Sequence, residues 1–183
     1  MYEVEMKVRA DHGRVRDALR ELGASARGAI TQRDTYYDAP TRDFAETDEA
    51  LRVRREERGG TERARLTYKG PLIGETSKTR EEYETDLGDG DAAAAILDSL
   101  GFVPVETVEK VRERFSLAEY AVTLDSVAGV GEFVEVETEA SEGDVDAARE
   151  GVARTVESLG LDPDEEIRVS YLELLLERDR DRP

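Results

Sequence analysis

The chain has 183 residues, no cysteine, and 44 acidic against 26 basic residues, which give it a formal net charge of −18. The length suits a single domain over residues 1–183, and the lack of cysteine excludes disulfides, thiol catalysis and cysteine metal sites. No apolar run approaches the roughly 20 residues of a membrane span, and the N-terminus lacks the pattern of a signal peptide. We therefore expect a cytoplasmic protein with no membrane partner.

Lysine is scarce in this chain, since only four of the 26 basic residues are lysine. An acidic, lysine-poor surface suits a protein kept soluble in concentrated salt, because screening suppresses the self-repulsion of the surface. We expect a halophilic source, with a merely acidic mesophilic protein as the alternative. The overall field would repel phosphates, so nucleic acid is not an expected partner. Any anion site has to be local, built by arginine and lysine concentrated in one place.

The first predicted strand, Tyr2–Arg9, has one charged face and one apolar face, because side chains alternate along a strand. Its charged residues are Glu3, Glu5, Lys7 and Arg9. A half-exposed surface strand would look the same, so the repetition of the pattern decides its meaning. The predicted strands that follow cover residues 29–38, 50–58, 62–70, 79–87, 105–117, 120–127 and 131–139.

Amphipathic helices are predicted between these strands, over residues 11–23, 92–100 and 144–159, and after Ser170. Asp11 is a plausible N-terminal cap for the first helix, and Gly23 ends it. The strands are mostly consecutive and joined by short turns. An antiparallel meander of eight strands removes its exposed edges by closing. The predicted fold is therefore α+β, an eight-stranded antiparallel β-barrel with flanking helices.

The charged strand faces are predicted to line the inside of this barrel. If the apolar faces were inside, the amphipathic helices would have no apolar surface to cover. The interior is then a wet tunnel, and basic groups left unpaired there would be costly, which indicates a polyanionic ligand and a cation held by the carboxylates. Lys7, Lys69 and Lys110, three of the four lysines, fall on these faces. Lysine can reach single phosphate oxygens as a compact point charge.

Further short motifs accompany the opening Glu3-Val4-Glu5-Met6-Lys7 in a fixed order. They cover residues 32–38, 51–54, 66–71, 80–84, 110–112, 124–125, 131–137 and 170–171. A lone E-x-E-x-K would occur often by chance, whereas the ordered set is specific. The chain resembles the CYTH, or triphosphate tunnel metalloenzyme, superfamily through nearly its whole length. That superfamily contains the class IV adenylate cyclases and the thiamine triphosphatases.

The resemblance implies a tunnel that binds a triphosphate such as ATP together with Mg²⁺ or Mn²⁺. It assigns the metal to Glu3, Glu5, Glu135 and Glu137. It assigns phosphate oxygens to Lys7, Arg52, Arg54, Lys69, Arg80, Lys110 and Arg112. Lys7 and Asp125 are the catalytic candidates, with Asp125 orienting a basic group, the substrate or a water molecule.

Several side chains on or near these faces have competing interpretations. Glu82 and Glu84 either serve the ligand site or form salt bridges with arginine, and the sequence leaves both open. His12 is expected to be an exposed residue at a helix start rather than a catalyst. Tyr36 and Tyr37 are expected to pack rather than to stack on a nucleotide base.

Three functions compete for this tunnel. The first is a class IV adenylate cyclase-like reaction, ATP to cyclic AMP and pyrophosphate, and the overall pattern favours it. The second is hydrolysis of tripolyphosphate, a nucleoside triphosphate or thiamine triphosphate. The third is non-catalytic binding of nucleotides or polyphosphate, which the carboxylates argue against because a pure anion binder needs no acidic groups beside its phosphates. The oligomeric state is not fixed by the sequence, and a homodimer is compatible with it.

Overall fold

The computed structural model describes residues 2–72, 80–141 and 143–180. Its strands are β1 (Tyr2–Arg9), β2 (Ser25–Asp38), β3 (Ala50–Arg58), β4 (Thr61–Leu72), β5 (Arg80–Leu87), β6 (Val103–Leu117), β7 (Tyr120–Val127) and β8 (Gly131–Ala140). Its helices are α1 (His12–Glu21), α2 (Gly90–Ser99), α3 (Val145–Ser158) and α4 (Tyr171–Arg180), with a short 3-10 helix at Pro163–Glu165. β1, β3 and β7 have the predicted bounds, and the predicted start of β5 at Thr79 lies outside the described residues.

The strands form one antiparallel sheet in the order β1-β8-β7-β6-β2-β3-β4-β5, which confirms the predicted eight-stranded antiparallel fold with four helices. β1 and β5 are the two ends of this strand order, and closure of the sheet into a barrel stays a prediction. The outer edge of β1 is covered by the chain that follows the 3-10 helix, since Ile167 N–H donates to Lys7 O at 2.7 Å. A covered edge strand needs no further strand partner.

The chain divides into two compact units, the first comprising Met1–Ile30 with Lys110–Pro183 and the second Thr31–Glu109. The expectation of a single domain over residues 1–183 stays a prediction. Within the described ranges, no helix is long and apolar enough to cross a membrane.

The core of the first unit lies between the apolar faces of its strands and helices α1 and α3. It contains Val4, Met6, Val8, Val15, Leu19, Val122, Leu124, Val134, Val136, Ala140, Val152, Val156 and Leu159. Helix α1 begins after Asp11, whose side chain accepts from Arg14 N–H at 2.9 Å, and it ends before Gly23, which has φ +75°. The apolar strand faces are thus helix-covered, as predicted, and the charged faces lie on the other side of the sheet.

The second unit repeats this arrangement with one helix. Leu97 of α2 packs on a smaller core formed with Tyr37, Phe44, Leu51 and Val53. Tyr37 is therefore a packing residue, as predicted.

His12 is buried, and the prediction of an exposed side chain is wrong. Only 1% of it is exposed, and its Nε2 lies 2.9 Å from the carbonyl oxygen of Phe133. Its backbone N–H donates to Glu132 Oε2 at 3.1 Å. Both partners come from β8, so the sequence around the helix start holds no sign of them.

Candidate active site

Three carboxylates converge where β1 pairs with β8. The register sets Glu5 opposite Glu137, and Glu3 lies two residues away on the same face of β1. Oxygen atoms of Glu3, Glu5 and Glu137 lie within 4.8 Å of one another. We call these three residues the acidic cluster.

The acidic cluster has the electrostatic character of a cation site. Burial, followed by the charge of Glu3, raises the pKa of Glu137 to about 6. Like charges directly opposite each other destabilise an antiparallel pair, and a divalent cation would remove this repulsion. Carboxylate oxygens are the ligands that hard cations such as Mg²⁺ and Mn²⁺ prefer, so the donor set fits the expected metal.

A second cluster surrounds Asp125 on the charged face of the same unit. Arg112 donates to Asp125 through Nε at 2.7 Å and through Nη2 at 2.5 Å. The same Nη2 donates to Glu135 Oε2 at 2.5 Å, and Lys110 Nζ lies 3.7 Å from Asp125 Oδ2. We call Asp125, Lys110, Arg112 and Glu135 the Asp125 cluster.

The two negative and two positive charges of the Asp125 cluster compensate one another. Asp125 is fully buried, and burial alone would raise its pKa, but hydrogen bonds from Arg112 and the charge of Lys110 hold that pKa below its usual value. Burial likewise opposes the charge of Arg112, yet its bond to Asp125 and the charge of Glu135 keep its pKa above the usual range. Ion pairs of this kind fix the direction in which a buried guanidinium points.

Lys7 is held at the edge of this cluster by the chain around α4. Its Nζ donates to Val169 O at 2.6 Å and lies 4.5 Å from the ring centre of Tyr171. The Tyr171 hydroxyl donates to Asp125 Oδ2 at 3.0 Å. No role was predicted for Tyr171, because on the sequence it belongs to the apolar stripe of the terminal helix, although the motif at 170–171 marked the position.

In the second unit, buried Asp34 holds two of the predicted phosphate-binding arginines. Arg54 donates to its carboxylate through Nε at 2.7 Å and Nη2 at 2.6 Å. Arg52 Nη1 lies 3.4 Å from Asp34 Oδ2 and also 3.4 Å from the Tyr36 hydroxyl. Sequence reasoning missed Asp34, although pairing β2 with β3 in register would have set it opposite Arg54.

Ion pairs also occupy the carboxylates of β5. Lys69 Nζ lies 3.1 Å from Glu82, and Arg65 Nη1 lies 3.2 Å from Glu84, which also accepts from Thr67 Oγ1 at 3.0 Å. Glu84 is thus salt-bridged to an arginine, one of the two interpretations left open by the sequence, whereas the partner of Glu82 is a lysine. The side chain of Arg80 lies outside the described part of the chain.

The predicted site residues thus fall into two sets, one in each unit. The first unit brings together Glu3, Glu5 and Glu137, and beside them Lys7, Lys110, Arg112, Asp125 and Glu135. The second unit carries Arg52, Arg54 and Lys69. A common tunnel for both sets stays a prediction, as do the individual roles.

The sequence profile of the CYTH domain matches residues 1–171 of this chain. The chain belongs to the CYTH domain family. The match begins before the acidic cluster and ends at Tyr171, so it includes every residue of the two clusters.

Individual relatives match along nearly the full chain. A Methanocaldococcus jannaschii protein with the provisional name of adenylate cyclase is 38% identical over 176 residues, covering 95% of this chain and 98% of that protein. The thiamine-triphosphatase of Macaca fascicularis is 30% identical over 206 aligned positions, covering 98% of this chain and 86% of that enzyme. The solved structure of a Pyrococcus horikoshii protein is 40% identical, with a TM-score of 0.84 and coverage of 97% of this chain and 99% of its own.

Proposed function

We propose that this protein is a metal-dependent enzyme that acts on a triphosphate, and that it converts ATP to cyclic AMP and pyrophosphate. The observation that carries the proposal is the neighbouring position of the acidic cluster and the Asp125 cluster on one strand face. Glu135 and Glu137 belong to different clusters but are separated by one residue of β8. A site that offers carboxylates to a cation next to fixed cationic groups suits a metal–triphosphate complex.

The cationic side chains would bind the phosphate oxygens. Lys7, Lys110 and Arg112 form this set in the first unit, and Arg52, Arg54, Lys69 and Arg80 are the predicted set of the second unit. Arg52 Nε is buried and has no hydrogen-bond partner among the described residues. Since an unpaired buried donor costs free energy, a phosphate oxygen is a fitting acceptor. Asp125 would keep Arg112 and Lys110 aimed at the substrate.

The acidic cluster would hold Mg²⁺ or Mn²⁺. A bound cation would supply charge neutralisation for the triphosphate and for the pyrophosphate leaving group. Glu135, predicted as a fourth ligand, is ion-paired with Arg112. In the proposed site it therefore links the two clusters.

The cyclase reaction requires the ribose 3′-hydroxyl oxygen to bond to the α-phosphorus while the bond from that phosphorus to the pyrophosphate oxygen breaks. The hydroxyl proton passes to solvent water, and pyrophosphate leaves with the electron pair of the broken bond. Fixed positive groups stabilise such developing charge without reorganising during the reaction. The provisional name of the relative that is 38% identical supports this reaction.

Hydrolysis of a terminal phosphate is the second candidate. It is favoured by the 30% identity to a thiamine-triphosphatase over 98% of this chain. In that reaction water replaces the ribose hydroxyl as nucleophile, and the same cationic groups bind the substrate.

One assay separates these reactions. The protein is incubated with ATP and, separately, with tripolyphosphate, with Mg²⁺ or Mn²⁺ and in both dilute and molar salt. The products are resolved into cyclic AMP, pyrophosphate and orthophosphate. Cyclic AMP with pyrophosphate from ATP is the expected result. Orthophosphate without cyclic AMP from ATP, or orthophosphate with pyrophosphate from tripolyphosphate alone, assigns the protein to hydrolysis. If neither substrate is consumed under any of these conditions, the proposal of a triphosphate enzyme fails.

A further inference from the structure

Tyr171 is the first residue of α4, and hydrogen bonds of the residues before and after it hold it in place. Ser170 and Glu173 form a reciprocal cap, in which Ser170 N–H donates to Glu173 Oε2 at 2.6 Å and Glu173 N–H donates to Ser170 Oγ at 3.1 Å. On the other side, Ile167 is tied to the backbone of Lys7. The start of the helix therefore has little freedom to rotate, and Tyr171 is only 8% exposed.

The ring of Tyr171 lies among groups of the charged strand face. It packs against the Phe133 ring, with centroids 5.0 Å apart, and the ammonium groups of Lys7 and Lys110 lie 4.5 Å and 5.0 Å from its centroid. An aromatic ring attracts a cation placed near its centre, and more strongly where water is excluded. One ring therefore helps to hold both lysines that the proposed function assigns to phosphate.

The hydroxyl of Tyr171 acts on a different group. It donates to Asp125 Oδ2, the same oxygen that accepts from Arg112 Nη2 and lies near Lys110. The phenol stays a donor, because burial and the charges of Glu135 and Asp125 raise its pKa above the usual value. Hydrogen bonds to an ionised group are among the stronger ones in proteins. The orientation of the Asp125 carboxylate thus depends on a residue from outside the sheet.

We propose that Tyr171 is a positioning residue of the active site, with two separable tasks: its hydroxyl orients Asp125 and its ring orients Lys7 and Lys110. The inference rests on the proposed function, since it concerns the same site. It goes further because it makes the start of α4 part of the catalytic apparatus. Tyr171 itself is not assigned a contact with the reacting atoms.

The two tasks predict different kinetic effects for two substitutions. Tyr171→Phe keeps the ring, so kcat should fall roughly tenfold, the effect of losing one hydrogen bond to a charged group. The affinity for Mg²⁺–tripolyphosphate should stay within about threefold of wild type, because Arg112 keeps its contacts with Asp125 Oδ1 and Glu135. Tyr171→Leu also removes the ring, and this affinity should then fall by a further several-fold.

The matched control is Tyr120→Phe. Tyr120 is a partly buried tyrosine of the same unit, but it packs against the helix-covered core. Its hydroxyl should be dispensable for turnover. Thermal unfolding is followed for every variant, and kinetics are measured well below the unfolding midpoint, so that loss of fold is separated from loss of positioning.

A double-mutant cycle in kcat gives the decisive test. If the hydroxyl acts through Asp125, Tyr171→Phe should lower kcat in the wild-type background and have no further effect in an Asp125→Asn background. Equal losses in both backgrounds, or an unchanged kcat with only a lower unfolding midpoint, would overturn the inference while wild-type turnover upholds the proposed function. A wild type that neither turns over ATP or tripolyphosphate nor binds Mg²⁺–tripolyphosphate would overturn both.

Discussion

The acidic cluster and the Asp125 cluster lie on the same charged face of the sheet in the first unit. The pKa of a carboxylate is nevertheless shifted in opposite directions in the two clusters. Asp125 is fully buried and its pKa lies below the usual value, because Arg112 and Lys110 compensate it. Glu137 is less buried and its pKa is raised to about 6, by burial and by Glu3. Partners across the sheet decide the difference, since Glu137 faces Glu5 whereas Asp125 faces Arg112. The charges of the Asp125 cluster compensate one another, whereas those of the acidic cluster all have the same sign.

The largest expected effect comes from breaking the acidic cluster. Glu5→Gln or Glu137→Gln keeps the side-chain shape but removes a charged ligand, so metal-dependent turnover should fall by about two orders of magnitude or more, since even outer-sphere partners of a metal cost roughly 10–100-fold. Initial rates of ATP or tripolyphosphate consumption at saturating Mg²⁺ measure this effect.

Glu139→Gln is the matched control for this experiment. Glu139 follows Glu137 by two residues, so it lies on the same face of β8. It is exposed and does not belong to the group of three converging carboxylates. It should retain turnover within about threefold of wild type. Full metal-dependent turnover in both Glu5→Gln and Glu137→Gln would remove these residues from the metal role.

A smaller effect is expected from the Asp125 cluster. Lys110→Ala or Arg112→Ala should weaken triphosphate binding roughly tenfold or more, since a hydrogen bond to a charged group contributes about 1.5–3 kcal/mol and about 1.4 kcal/mol equals a tenfold change. Isothermal titration with a non-hydrolysable ATP analogue and with tripolyphosphate measures it. If the cations served only as partners of Asp125, stability would fall in both variants while both affinities stayed unchanged.

The two clusters should also give opposite pH dependences of stability in the metal-free protein. The folded pKa of Glu137, about 6, lies above its model-peptide value of 4.5, so its contribution is present below about pH 4.5 and is lost as the pH rises through 6. Asp125 has a lowered pKa, so its contribution is present at neutral pH and is lost in acid. In chelator at pH 7.5, Glu137→Gln should therefore unfold a few degrees above wild type and Asp125→Asn below it.

Thermal unfolding between pH 4.5 and 7.5 checks the sign for Glu137, and continuing the series below pH 3.8, the ordinary value of an aspartate, checks the sign for Asp125. The advantage of Glu137→Gln over wild type should shrink toward pH 4.5, where the wild-type carboxyl is protonated in the folded state and half protonated in the unfolded state. A Glu137→Gln variant that unfolds below wild type at pH 7.5 in chelator would contradict the repulsive character of the acidic cluster.

The acidic cluster could be predicted from the alternation of side chains along a strand. The ion pairs inside the Asp125 cluster could not be predicted in this way. The E-x-E spacing of Glu3 and Glu5 fixes their common face, and a second Glu-x-Glu on β8 can meet them only if β1 and β8 pair. The sequence does not state the register. In the observed register Glu137 lies opposite Glu5, and Glu135 forms an ion pair with Arg112. Because the sequence alone does not show this ion pair, four carboxylates were predicted to bind the metal, whereas three converge.

Two of the residues that sequence reasoning missed depend on contacts between distant parts of the chain. His12 looked like an exposed helix-start residue, but β8 supplies the hydrogen-bond partners of its backbone N–H and of its Nε2. Tyr171 looked like part of an apolar stripe, and only the fold of α4 onto the sheet brings its hydroxyl to Asp125. Asp34 is the exception, since its partner Arg54 lies on the next strand of the predicted meander.

The claim that the acidic cluster is a divalent-cation site is tested most directly by titrating chelator-treated protein with Mn²⁺ at pH 7.5 in an isothermal calorimeter. Wild type, Glu137→Gln and the control Glu139→Gln are compared in the absence of any triphosphate. The electrostatics of the cluster predict Mn²⁺ binding to wild type and to Glu139→Gln with affinities within about threefold, and binding at least roughly tenfold weaker in Glu137→Gln. Equal Mn²⁺ affinity in Glu137→Gln and wild type would contradict it.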